Sequence, residues 1–190
     1  MRLRATILVL LCCWPLIAAA APERYVLDAA RSDVDFIYEL DGDWVRGSIP
    51  IIDADLQLDF SAISRSRVSV RLDATRTRAG FILATQAVRG AGGLDAADYP
   101  VISFRSTSVR ADGPNRARIS GRVRMRGVER DMVLLARLYR QRGTEPGDLS
   151  RITLRLTGAL NRSDFGSTAY SGLVGDRVGL DIMARVERQD

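Results

Sequence analysis

Within the stretch LTGALNRSDFGSTAYSGLVGDRVGLDIMA, residues 156–184, a regular apolar alternation is interrupted by Arg162, Asp164 and Phe165. A guanidinium is a permanently charged fork of donors, suited to bidentate pairing with an oxyanion or a carbonyl oxygen. An adjacent carboxylate can satisfy the same fork. The simpler expectation is therefore that Arg162 and Asp164 pair to hold a loop, with Phe165 turned back to plug one end of the fold. For acid–base work the candidates are Asp35, Asp164 and Tyr38, with no pattern that places two carboxylates inward together. The chain has no histidine, and its two cysteines, Cys12 and Cys13, fall among the first twenty residues. Beyond residue 20 this removes disulfides, cysteine nucleophiles, serine–histidine pairs and the usual zinc and copper sites. No acidic loop has EF-hand spacing. A calcium site or a carboxylate-based enzyme, such as an isomerase acting on an apolar substrate, stays open by composition. The favoured expectation is a protein without metal, without a required cofactor and without catalysis.

The first residues, MRLRATILVLLCCWPLIAAAAPER, place two arginines before an apolar run that ends in small residues, the layout of a secretory signal peptide. Cleavage is expected near Ala20, giving a leader over 1–20 and a single exported domain over 21–190. The whole chain has 28 basic and 23 acidic residues. Without Arg2 and Arg4 the balance is 26 − 23 = +3. Every basic residue is arginine, with acidic residues scattered among them. That favours an intermixed solvated surface, with transient contact to a membrane surface as a partner and no nucleic acid.

Such residues must be positioned by strands, because period-two alternation recurs along the chain. Val34, Phe36, Tyr38 and Leu40 share one face; so do Ala54, Leu56, Leu58 and Phe60; so do Val68, Val70 and Leu72. The pattern continues through Ile102 and Phe104, Ile119 and Val123, Met132 and Leu134, Leu154 and Leu156, and Leu180 and Ile182. A further short strand is expected at WVRGSI. Turn signals such as Arg126-Gly127 join these runs as antiparallel neighbours. One alanine-rich stretch lacks alternation and predicts a helix over about 81–88, with a second helical turn near 94–97. The fold class that follows is all-β: an antiparallel β-barrel of about eight strands with one helical segment between strands. An outer-membrane barrel fits poorly, since RARISGRVRMR would crowd arginines into a narrow lumen.

In such a barrel Phe36, Tyr38, Leu56, Leu58 and Val70, together with Phe104, Ile119, Leu134, Leu156 and Ile182, point inward. They either fill the interior or line a cavity. Gly121, Ala136, Gly158 and Ala184 share the inward register and are expected to leave space among larger neighbours. Trp44 and Tyr170 are candidates for a mouth or for plain packing.

The chain resembles the YceI family of exported polyisoprenoid-binding proteins. The likeness runs from YVLDAARSDVDF through VRGSI, DYPVISFRS, ISGRVRMRGVERDMVL and NRSDFG to VGDRVGLDI. It rests on Tyr25, Asp28, Ser32, Val34 and Phe36, on Tyr99, Pro100, Ile102 and Phe104, on Arg126, Gly127 and Val128, and on Arg162, Asp164, Phe165 and Gly166. It departs in the helical segment, where FILATQAVRGAGGLDAADYP lacks the family's arginine–aspartate pair and aromatics, at Arg31, and at Ile49. The resemblance implies a lipocalin-like barrel whose interior holds a long isoprenoid lipid, a quinone or a polyprenyl chain, for storage or carriage in the periplasm. It makes the ten inward residues ligand-lining, with Arg162 the candidate for a head group.

Overall fold

The computed structural model describes residues 21–189 apart from 142, 144 and 146; the leader expected over 1–20 lies outside the described residues. Ten strands run in chain order: β1 Glu23–Leu27, β2 Asp33–Leu40, β3 Asp43–Ser48, β4 Ile51–Leu58, β5 Arg67–Asp73, β6 Val101–Ala111, β7 Arg116–Met125, β8 Val128–Arg140, β9 Arg151–Asn161 and β10 Arg177–Arg188. The helix α1 spans Ile82–Arg89, within a residue of expectation, whereas the stretch near 94–97 forms turns and no second helix.

All ten strands belong to one antiparallel sheet, in the order β1-β4-β5-β6-β7-β8-β9-β10-β2-β3, which closes through β1 on β10. Both β1 and β2 pair with β10, β1 with its C-terminal end and β2 with its N-terminal end. They are two lengths of one stave, broken by the short 3-10 turn Ala29–Arg31. Likewise β3 pairs with β2, β4 pairs with β1, and only Ile49 and Pro50 separate them. Proline cannot donate to a ladder, which accounts for the break. Ten segments less two such joins give an eight-stave barrel. Closure leaves the ladder without a long free edge.

The two ends of the interior differ. At one end Tyr25, Leu56, Leu58, Ile152 and Val186 pack together, all at most 5% exposed. The Tyr25 ring meets Phe60 edge-on at 5.8 Å, and its hydroxyl donates to the Leu149 carbonyl at 2.9 Å. Burial of that phenol pushes its pKa up to about 12. Ile119, Leu134 and Leu156 fill the middle with Val123, Met132 and Phe165.

The small inward residues do not leave voids. A Cβ on Gly121 would collide with the Phe104 ring, and one on Gly158 would lie 2.8 Å from a Leu134 methyl. Ala136 is 8% exposed inside the same cluster, and Ala184 packs against it. Each of these glycines is a recess already occupied by a larger neighbour, as close packing of an interior requires. Gly47 is the same case, lying under Phe36, its partner across β2 and β3.

Candidate functional site

The open volume lies at the other end, where α1 and the 166–175 loop cover the barrel. It is a chamber of about 680 Å³, within the roughly 300–1,000 Å³ range of small-molecule sites. Three strand positions, Phe36, Tyr38 and Leu40, form its wall on β2, and Val178 and Leu180 form it on β10. The helix contributes Ala84, Ala87 and Val88, the spacing of one helical face. Gly90, Ala91, Gly92 and Gly93 continue the roof, and Leu160, Tyr170, Leu173 and Val174 complete the opposite side. Phe81, Leu83, Tyr170 and Leu173 line the chamber while 50–72% exposed, so the apolar surface runs out to an opening.

Of the eleven residues singled out from sequence, the structure brings three to the chamber: Phe36, Tyr38 and Arg162. The rings of Phe36 and Tyr38 lie 5.8 Å apart at 29°, forming one aromatic wall. Leu56 and Leu58 belong to the packed far end, and Ile119, Leu134 and Leu156 to the solid middle. Phe104 and Ile182 pack against that middle cluster, and Val70 is half-buried on β5 away from the chamber. The alternation marks the inward face of each stave correctly, but it does not register position along the barrel axis.

Most of the remaining chamber wall lies in segments without alternation. The helix is expected from its alanine-rich, non-alternating composition, and the spacing of Ala84, Ala87 and Val88 is the signal that could have given its chamber face; the loop residues Leu173 and Val174 left no pattern. Tyr170 lines the chamber, whereas Trp44, 71% exposed, is not among its lining residues.

Arg162 departs from expectation. Among the described residues no ion pair joins it to Asp164. Its Nε donates to the Gly175 carbonyl at 3.1 Å, one terminal nitrogen to Ser167 and Ala169 at 2.8 Å each, and the other to Val174 at 3.0 Å. Main-chain carbonyls of the loop surround the fork, because Gly166 takes φ 75° after the turn Arg162–Phe165 and folds the chain back over it. Asp164 instead faces outward to a smaller polar recess with Arg130 and Arg177. The acid that braces the turn is Asp176, which accepts from the Ser163 amide at 2.9 Å and the Ser163 hydroxyl at 2.8 Å. Phe165 is 2% exposed in the core, turned inward as its apolar ring requires.

The second rim is held in the same manner. Arg126, in the two-residue turn between β7 and β8, donates to the carbonyls of Ala91 at 2.6 Å and Gly93 at 2.7 Å. Within the chamber the Tyr38 hydroxyl donates to the Ala79 carbonyl at 3.1 Å, and burial raises its pKa. Among the described residues no carboxylate lines the chamber. Asp35 lies on the outer face, paired with Arg46 at 2.7 Å. Among the described residues no cluster of three or more metal-ligating side chains occurs.

A family model described as the YceI-like domain matches residues 25–186. The Escherichia coli O157:H7 protein YceI is 27% identical over 166 residues, covering 87% of this chain and 86% of that protein. A UPF0312 protein of Pseudomonas putida is 26% identical over 173 residues, covering 90% and 89%. Among solved structures, Burkholderia cenocepacia BcnA superposes with a TM-score of 0.75 at 17% identity, covering 84% of this chain and 98% of that one. A Campylobacter jejuni YCEI protein gives 0.61 at 18% identity, covering 76% and 85%.

Proposed function

Because the chain belongs to the YceI family, we propose that its chamber holds an apolar lipid of the isoprenoid class, a quinone or a polyprenyl chain, for storage or carriage in the periplasm. The observation that carries this reading is the lining. It is almost wholly apolar, and its two strongest polar groups, Tyr38 and Arg162, are already hydrogen-bonded to main-chain carbonyls. Transfer of a methylene-rich chain from water into such a wall gains roughly 25 cal/mol per Å² removed from solvent. Three of Arg162's donor nitrogens are engaged by carbonyls, so a head group finds little free hydrogen-bonding capacity there, and affinity comes from the tail.

The packed far half of the barrel limits how much of a chain is enclosed. The rest leaves past Phe81, Leu83, Tyr170 and Leu173. Turnover has less support, since no carboxylate lines the chamber among the described residues and Tyr38 is held protonated by burial. The test is native mass spectrometry of the protein from its own cells, followed by denaturation and lipid identification. The expected result is an apolar species of isoprenoid mass released on denaturation. A ligand-free mass that stays unchanged after incubation with quinones and polyprenyl phosphates would overturn the reading.

A further inference from the structure

The outer wall of the barrel is not the intermixed surface expected from composition. Across β6 and β7, Arg105 stands directly opposite Arg122 and Arg110 opposite Arg118. Across β7 and β8, Arg116 faces Arg137, and Arg137 in turn faces Arg155 on β9. All seven are exposed. Directly opposite side chains have Cβ atoms roughly 5 Å apart, and like charges in that relation destabilise a sheet. Three of the seven find a carboxylate: Arg118 with Asp112 at 3.6 Å, Arg122 with Glu129 at 2.9 Å and Arg155 with Asp181 at 3.0 Å. For Arg105, Arg110, Arg116 and Arg137 no carboxylate lies within ion-pair distance among the described residues. The β2–β3 side of the barrel, by contrast, is mainly acidic, carrying Asp33, Asp35, Glu39 and Asp43 with Arg46, which pairs with Asp35.

Between the arginines, Val133 and Leu135 point outward at 43% and 44% exposure, Leu135 opposite Arg118. Arg137 lies over the Tyr139 ring at 5.8 Å. Unneutralised guanidiniums interspersed with exposed aliphatics on a barrel's convex wall match a surface that is anionic and has an apolar layer beneath its charges. A nucleic acid would satisfy the guanidiniums but offer nothing to Val133 and Leu135. We propose that the β6–β8 face docks on an anionic lipid bilayer, its arginines on head-group phosphates. This surface is independent of what the chamber holds.

The test is flotation of the purified protein with vesicles of phosphatidylcholine alone, or of phosphatidylcholine and phosphatidylglycerol in equal parts. Binding is expected to the anionic vesicles only and to fall with added salt. Each arginine near an anionic surface strengthens partitioning roughly five-fold. The triple variant Arg110→Gln, Arg116→Gln, Arg137→Gln is therefore expected to bind about two orders of magnitude more weakly, with an unfolding midpoint no lower than the parent's because like-charge repulsion is relieved. Arg31→Gln, Arg46→Gln, Arg188→Gln removes the same charge from the other side and is expected to keep most of the binding. Equal binding to both vesicle types, absence of binding, or equal loss in both triple variants would overturn the proposal. So would binding to duplex DNA, weakened by the first triple variant, without vesicle binding.

Discussion

Replacing Arg162 with methionine separates the two roles that a partly buried guanidinium at the chamber could have. Methionine keeps much of the aliphatic stem and removes every donor. Four charge-assisted hydrogen bonds to Ser167, Ala169, Val174 and Gly175 are lost. Hydrogen bonds involving a charged partner contribute about 1.5–3 kcal/mol each where water is excluded. The loop is largely exposed, so its freed carbonyls regain water and the sum is far from additive. A net loss of about 3 kcal/mol is expected, in line with breaking one buried polar network. For a domain of this length that corresponds to a fall in Tm of roughly 6–12 °C.

Circular dichroism melting measures the fall, and limited proteolysis locates it, with new cleavage expected within 166–175. The functional arm uses two ligands, a quinone and a hydrocarbon of similar length without a head group. A clamp that shapes the wall predicts that the Arg162→Met variant loses affinity for both alike. A melting point within about 2 °C of the parent, or weaker binding of the quinone alone, would refute the clamp and restore Arg162 as a head-group ligand.

Gly121→Ala places a Cβ against the Phe104 ring and 2.5 Å from the Arg105 carbonyl, so chemical denaturation should show a loss of about 2 kcal/mol. Ala87→Phe adds an aromatic ring to the chamber roof and is expected to abolish lipid retention in native mass spectrometry while leaving the melting point close to the parent's. Two groups set opposite limits of the pH–stability profile. Asp59 is held at about 2, first by the Ser61 hydroxyl and then by the Ala62 amide and Arg65. Its contribution is complete above about pH 4 and disappears as pH falls toward 2, and Asp59→Asn is expected to flatten that acid limb. Tyr25, raised to about 12 chiefly by burial, withdraws its contribution as pH climbs from about 10 to 12, because the unfolded chain ionises first. In Tyr25→Phe that alkaline loss should be smaller.

The staves and their inward faces were legible because a half-buried strand writes its environment into every second residue. Phe36 and Tyr38 were found in that way. β1 gave no such signal: with five residues it is too short to show a period, and it was revealed only by its pairing with Leu56–Leu58 and Val186–Arg188. The chamber was misplaced for a physical reason. Gly121 and Gly158 look like gaps when counted along a strand, yet Phe104 and Leu134 reach across from neighbouring strands to fill them. The Arg162–Asp164 pair failed similarly, since nearness in sequence does not describe a loop that folds back and offers its carbonyls first. Nor did the scatter of both signs along the sequence reveal the arginine rows, which arise only from register between strands.

The roof of the chamber makes its volume with residues that have almost no side chain, and that choice determines what must hold it. A Cβ on Gly92 would lie 2.5 Å from that of Ala169, so the two rims meet backbone against backbone. Aromatic packing cannot fasten such a junction, and guanidiniums grip main-chain carbonyls there instead: Arg126 on Ala91 and Gly93, Arg162 on the facing loop. Even a charge-assisted hydrogen bond contributes only about 1.5–3 kcal/mol, and less where water can replace it, whereas extracting a core phenylalanine costs about 3–5 kcal/mol. The chamber is therefore walled by packing and roofed by bonds that water can replace, which puts the opening of the rims on the roof side. The two clamps grip different segments that touch at Gly92, Ala169 and the Ser167 hydroxyl. Loosening one rim should already release part of what the other holds. In a cycle of Arg126→Met, Arg162→Met and the double variant, the stability losses are expected to be sub-additive by at least about 0.5 kcal/mol. Strict additivity in melts and denaturant titrations would mean that the rims open independently and that no shared roof exists.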